Sequence, residues 1–152
     1  MNAITNFSSP HFEKVAKTVL SMPMAQTLGL IFTHVEAGEV TVEMPILESL
    51  TYIPGQLQAT AVFSIADFAA FSAAGTLLKP GWINSGIDFT LKLLAPAKGK
   101  LIRARGKVIQ AGKLLTVCAA DVFTVNEKDE ELLCATLLGT ARNIDMNLKP
   151  SQ

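Results

Sequence analysis

The sequence predicts an α+β fold, one six-stranded antiparallel sheet wrapped around a single long helix. Three observations carry that expectation. First, from Pro54 to Leu78 (PGQLQATAVFSIADFAAFSAAGTLL) the only charged residue is Asp67. Ala and Leu favour a helix, and a helix with no polar side is enclosed by protein or spans lipid. Second, the segments before and after it carry strand signals: β-branched residues, period-two alternation and Gly or Pro at the breaks. Third, two strands precede the helix and four follow it, enough to fold a sheet over its apolar sides.

The elements follow in order. Ser9 and Pro10 form a helix start, with Ser9 as cap and Pro10 at the first helical position. Phe12, Val15, Ala16, Val19 and Leu20 then recur at helical spacing to about Ser21. Pro23 and Gly29 bracket a short second helical turn. Strands are expected at Ile31–Glu36 and Glu39–Ile46, joined at Ala37-Gly38, with a loop at Glu48–Ile53. Lys79-Pro80-Gly81 ends the long helix. A strand follows in which Ile83, Ile87, Phe89, Leu91 and Leu93 alternate with Asn84, Gly86, Asp88, Thr90 and Lys92. Strands at Lys100–Gln110, Leu114–Val125 and Glu131–Ile144 complete a four-strand meander. One domain over residues 1–152 is expected, with an N-terminal helix in 1–22, a core at about 25–144 and a frayed polar tail at 145–152.

Composition narrows the function. Formal charge is zero, which argues against nucleic acid as the main partner. Residues are 49% hydrophobic and only 17% charged, a surface that favours self-association. Cys118 and Cys134 lack metal or redox spacing and read as small buried side chains in a reducing compartment, the cytoplasm. The start shows no signal-peptide pattern. The Leu57–Leu78 run is long enough for a bilayer, but a carboxylate at its midpoint and the strands around it exclude a membrane span. No cluster of His, Cys, Asp and Glu has metal spacing.

Asp67 is the residue that needs explaining. No Lys, Arg or His lies within ten residues of it, and burying an unpaired carboxylate costs several kcal/mol or forces it to keep its proton. The functional reading makes Asp67 the catalytic group; the alternative is a structural carboxylate held by backbone N–H groups or a partner's Arg. Basic residues also gather, with no acid among them, at Lys92, Lys98, Lys100, Arg103, Arg105, Lys107 and Lys113. They form either a solvated strand face or an anion-binding edge.

The helix opening Gly55-Gln56-Leu57-Gln58-Ala59-Thr60, with Asp67 nine residues beyond Gln58, resembles the hotdog-fold thioesterases of the phenylacetate-degradation (PaaI-like) group. The later blocks IDFTLKLLAPAKGKLIRARGKV, AGKLLTVCAADVF and ELLCATLLGTAR resemble that group's strands. The group usually opens its helix with Gly-x-x-His-Gly-Gly; here Gln58 stands at the His position and Ala59 and Thr60 at the Gly positions. Tyr52 falls near the group's upstream Asn. The resemblance implies hydrolysis of an acyl-CoA thioester, with coenzyme A entering as substrate and no cofactor required. It also implies Asp67 as the acid and a polar helper near Asn84 or Ser85, or Gly86.

On that chemistry Asp67 serves as general base or nucleophile, and the Ala59 N–H at the helix N-terminus as oxyanion donor. Gln58 orients the carbonyl or a water, and Thr60 is a further helper candidate. Arg103, Arg105 and Lys113 are candidate contacts for coenzyme A phosphates. Gln58 and Asp67 lie about 13 Å apart along one helix and on opposite faces. They meet only across two antiparallel helices, so the mechanism requires a homodimer, alone or doubled into a tetramer. Two other functions compete. One is a non-catalytic acyl-CoA binding or sensing protein; the other is a hydratase or dehydratase, disfavoured because residues 35–152 contain no His.

Overall fold

In the computed structural model, which describes residues 3–4 and 6–148, six strands form one antiparallel sheet around a central helix. Ser9 caps α1 (Pro10–Leu20), its Oγ accepting from the Phe12 N–H at 3.2 Å, and α2 (Pro23–Leu28) ends on Gly29 in the left-handed conformation. The strands are β1 (Ile31–Glu36), β2 (Glu39–Pro45), β5 (Trp82–Leu93), β6 (Leu101–Ala111), β7 (Leu115–Val125) and β8 (Glu131–Asp145). A separate short hairpin, β3 (Thr51–Ile53) with β4 (Gln56–Leu57), stands where the sequence suggested a loop and the start of the helix. Of the expected tail, Asp145 still pairs with Trp82 in the sheet, and residues 149–152 lie outside the described residues.

The long helix α3 spans Ala59–Gly75, starting five residues later than Pro54. Competing backbone partners explain the delay. Gln56 and Leu57 pair with Ile53 and Thr51, the Leu57 N–H reaches the Ala97 carbonyl at 3.0 Å, and Gly55 turns the hairpin at φ 75°. A free chain of that composition would add these residues to the helix, but their hydrogen bonds are already committed. At the far end the Thr76 hydroxyl donates to the Ala73 carbonyl and accepts the Gly38 N–H at 2.7 Å, tying the β1–β2 turn to the helix.

The sheet runs β1-β2-β6-β7-β8-β5. The expected meander therefore holds for β6, β7 and β8, while β5 crosses to the far edge and pairs only with β8. The phase of β5 also differs from the simple alternation. A bulge between Gly86 and Asp88 adds Ile87, so Asn84 and Gly86 share the helix-facing side with Phe89 and Leu91. Ile83 and Ile87 are left exposed, at 48% and 56%. One extra residue reverses which side every later residue faces.

The core forms where small residues meet small residues. Ala66, Ala69, Ala70 and Ala73 are fully buried on α3, facing Ala104, Cys118 and Ala120 on the sheet. Gly106 marks the tightest approach: a Cβ there would lie 2.1 Å from the Ala69 carbonyl oxygen, so helix backbone rests on sheet backbone. The two cysteines are free and buried, as their spacing suggested. No helix among the described residues is long and apolar enough to cross a membrane.

The two sheet edges differ. Along β1 the N-terminal segment adds a pairing, the Ile4 N–H donating to the Phe32 carbonyl at 2.8 Å, and α1 packs alongside. Along β5 no strand among the described residues occupies the outer side.

Candidate active site

The flank of α3 turned toward β5 is not closed by the sheet. Thr60 is exposed there, and Phe63, Ser64, Asp67, Phe68 and Phe71 are only partly buried. The sequence suggested a helix buried on most sides, with one flank left for a second subunit; that flank is open in the single chain because the neighbouring strand is the sheet's last. Asp67 sits in this flank with no cation or hydrogen-bond donor against it among the described residues. Burial alone pushes its carboxyl up from an ordinary 3.8 to about 6. Desolvation disfavours the charged form, and nothing here compensates. The Cys118 thiol beneath the helix is pushed up to about 12, by burial first and then by the negative field of Asp67.

Three phenyl rings gather at this level of the helix. Phe63 and Phe71 lie one helical turn before and after Asp67, positions that share its face. Phe89 of β5 contacts both edge-on, with centroids 5.4 Å from Phe63 and 5.3 Å from Phe71. Eight residues of helix rise about 12 Å, so one ring that close to both bridges them at the level of Asp67. Glycines make the room. A Cβ on Gly86 would meet Phe89 at 2.5 Å and Phe71 at 3.1 Å, and a Cβ on Gly139 would meet Phe71 at 3.1 Å. Of these three rings only Phe89 stands out in the sequence, and as a strand residue rather than a site residue. The aromatic-Asp-aromatic spacing at 63, 67 and 71 was a usable signal; the approach of Phe89 depends on the β5 bulge and was not.

Gln58 is the N-cap of α3, and its Oε1 accepts from the Thr60 N–H at a long 3.4 Å. Its own carbonyl takes the Ala61 and Val62 N–H groups. The Ala59 N–H donates to nothing among the described residues, so the first turn keeps one open donor and one weakly held one. A cavity of about 180 Å³ opens beside them, lined by Met24, Leu28, Leu50, Gln58, Thr60 and Ser64. The Ser64 hydroxyl is spent on the Thr60 carbonyl at 2.8 Å, back-bonding as helical serines do.

The remaining candidates fall elsewhere. Asn84 faces the helix, but its amide donates to the Phe71 carbonyl at 2.9 Å; Ser85 is exposed on the opposite face. Arg103 and Arg105 carry carboxylates. Arg103 binds Glu43 through Nε at 2.6 Å and also Glu131; Arg105 forms a two-pronged pair with Glu131 at 2.7 and 2.8 Å and covers the Phe123 ring at 4.7 Å. Glu131 is held below the ordinary carboxylate range, chiefly by the Arg105 hydrogen bonds. The two arginines of the basic run are thus neutralised from β2 and β8. Lys113 lines a second cavity of about 320 Å³ with Trp82, Leu77, Leu78 and Asn143, at the opposite end of α3 from Gln58. Within one chain, Gln58 and Asp67 stay apart on their helix.

This fold has counterparts among known proteins. No protein-family model matches the sequence. The "putative esterase" of Saccharolobus solfataricus is 33% identical over 115 residues, 74% of this chain and 72% of that protein. The 1,4-dihydroxy-2-naphthoyl-CoA hydrolase of Listeria monocytogenes is 26% identical over 113 residues, 74% of this chain and 89% of that protein. A thioesterase family protein of Silicibacter pomeroyi superposes with TM-score 0.84 at 27% identity, covering 88% of this chain and 98% of the other. The PaaI protein of the E. coli phenylacetic acid degradation operon superposes with TM-score 0.76 at 20% identity, covering 88% and 94%. The chain belongs to the hotdog-fold thioesterase superfamily. Its likeness to the PaaI-like proteins, at 20–21% identity, is one of fold.

Proposed function

We propose that the protein is an acyl-CoA thioesterase whose active site is completed by a second copy of the chain. The observation that carries this reading is Asp67, a partly buried carboxylate with no partner among the described residues, set in the one helix flank the fold leaves open. The unpaired β5 edge and the flank beside it are the surfaces two copies share, with their α3 helices antiparallel. That arrangement supports bringing Asp67 of one copy to the helix N-terminus of the other.

The chemistry then follows. The thioester carbonyl oxygen rests on the Ala59 N–H, with the Thr60 N–H recruited once Gln58 Oε1 lets go. These donors sit at the positive end of α3 and stabilise the charge that develops on oxygen. The ionised Asp67 takes a proton from a water as that water attacks the carbonyl carbon; alternatively its carboxylate attacks directly, expelling the thiolate, and a water then hydrolyses the acyl anhydride formed on Asp67. The C–S bond breaks as the tetrahedral intermediate collapses, and the proton held by Asp67 passes to the departing thiolate. Free carboxylic acid and coenzyme A leave. Gln58 Nε2 orients the water or carbonyl.

Complementation between two inactive variants tests the shared site. Ala59→Pro removes the donor at a helix position that accepts proline, and Gln58 (φ −64°, ψ 143°) already has the extended backbone a following proline requires. Asp67→Asn removes the base. Each alone is expected to be inactive. Mixed after unfolding and refolding, they form heterodimers in which one of two sites is intact, restoring about a quarter of wild-type turnover. No restoration would mean that each site lies within a single chain.

A further inference from the structure

We propose that Phe89 is the wall of the acyl site, admitting short or planar acyl groups beside Asp67 and excluding long unbranched chains. The inference rests on the thioesterase reading and specifies which acyl group that site takes.

The geometry points this way because the reacting carbonyl must come to Asp67, and the acyl substituent must then lie along the α3 flank. In one direction it meets Phe63 and in the other Phe71, each one turn away. Outward it meets Phe89, which spans both rings. An extended alkyl chain laid along the helix axis from Asp67 meets a ring in either direction. A planar or short group fits against the ring edges, where aromatic contacts gain a little beyond area alone. Phe89 is placed by two local features, the bulge at Ile87 and the missing side chain of Gly86 into which its ring projects. Its ring is 40% exposed and comes from the edge strand, so it is the one wall residue that can be truncated without opening a core cavity.

Phe89 has a second consequence through Asp67. The ring helps to keep water from the carboxyl, whose proton is held to about pH 6 by burial. Removing the ring rehydrates the carboxyl and lowers the pH at which it ionises. A residue that merely filled space at an interface would not move that titration.

The test compares wild type, Phe89→Ala and Phe89→Leu, with dimer content measured by light scattering for each. Hydrolysis of butyryl-, benzoyl-, decanoyl- and palmitoyl-CoA is followed from pH 5 to 8. Wild type is expected to favour butyryl and benzoyl over decanoyl in kcat/KM by about tenfold or more, the scale on which a pocket rejects surplus methylenes. Phe89→Ala is expected to abolish that preference and to move the acid limb of kcat/KM down from about 6 by roughly one pH unit; Phe89→Leu falls between. Equal kcat/KM for short and long chains in wild type, or an unchanged preference in Phe89→Ala, overturns the wall. Binding of benzyl and decyl thioether analogues of the same CoA esters, read by calorimetry, judges the wall without turnover. Selective wild-type binding lost in Phe89→Ala supports it, and equal binding of the two analogues in wild type overturns it. Absence of hydrolysis with every thioester, alongside selective binding, would instead overturn the hydrolase reading alone.

Discussion

The two flanks of α3 come from the same uncharged stretch yet were built for different purposes. On one, Ala66, Ala69, Ala70 and Ala73 are wholly buried and the helix backbone rests on Gly106. On the other, Thr60, Phe63, Ser64, Asp67, Phe68 and Phe71 keep part of their surface, and a carboxylate stands without a partner. The closed flank repays its ordering with packing, whereas the open flank carries a desolvated acid that the isolated chain gains nothing by keeping. Stability and reactivity are separated across one helix diameter. Substitutions on each side should therefore move different observables.

Asp67→Asn gives the largest and most two-sided effect. General-base assistance contributes about 10²–10⁴-fold, so turnover of any accepted thioester should fall by that factor while the fold persists. Stability should move in the opposite direction. The folded protein holds the Asp67 proton up to about pH 6, whereas the unfolded chain releases it near 3.8. Stability from this group is therefore full below about pH 4 and is lost as pH rises through about 6. Above that, the ionised carboxylate destabilises the fold by about 1–3 kcal/mol after allowance for its partial exposure. Thermal melts of Asp67→Asn should match wild type at pH 4 and exceed it at pH 7.5. In the same titration, wild-type kcat/KM should rise with pH through about 6 as the base ionises. A variant less stable than wild type at pH 7.5 would assign Asp67 to the structural side of the helix.

Gly106→Ala should break the closed flank. Its new methyl would lie 2.1 Å from the Ala69 carbonyl oxygen and 2.8 Å from the Ala70 nitrogen, both backbone atoms that cannot step aside. Overpacking of this kind costs about 1–3 kcal/mol, or roughly 2–4 °C of melting temperature per kcal/mol in a chain of this size. The acid limb of activity near pH 6 should stay in place in the fraction that remains folded. A normal melting temperature would mean that helix backbone does not rest on sheet backbone at Gly106.

The closed flank was the more legible of the two in sequence, because its signals are local. The alanine-rich stretch, the Ser9 cap and the strand run Glu39–Ile46 each state their role within a few residues, as does the lone Asp67 of the open flank. What could not be read is set by pairing between distant segments. Gln56 and Leu57 leave the helix for a hairpin whose partners are themselves short and weakly marked. Ile87 looks like another alternating residue until β8 is seen to pass over it. Arg103 and Arg105 form an unopposed basic run until Glu43, 60 residues from Arg103, and Glu131, 26 residues from Arg105, reach them across the sheet. Phe89 joins Phe63 and Phe71 only because β5 crosses to the edge instead of pairing with β6.

Asn84→Ala is the smallest test and falls where the two flanks meet. Sequence resemblance offers Asn84 as a polar helper in catalysis, but its amide is already committed to the Phe71 carbonyl at 2.9 Å. A single hydrogen bond of this sort contributes about 0.5–1.5 kcal/mol, so the variant should melt a few degrees lower. Because the bond anchors β5 to the helix turn carrying Phe71, it acts on the ring wall and not on the reacting atoms. The expected result is kcat within about threefold of wild type for butyryl-CoA, with a weakened preference against decanoyl-CoA. A loss of kcat as large as that of Asp67→Asn would place Asn84 among the catalytic residues and remove it from the framework that holds Phe71 against Phe89.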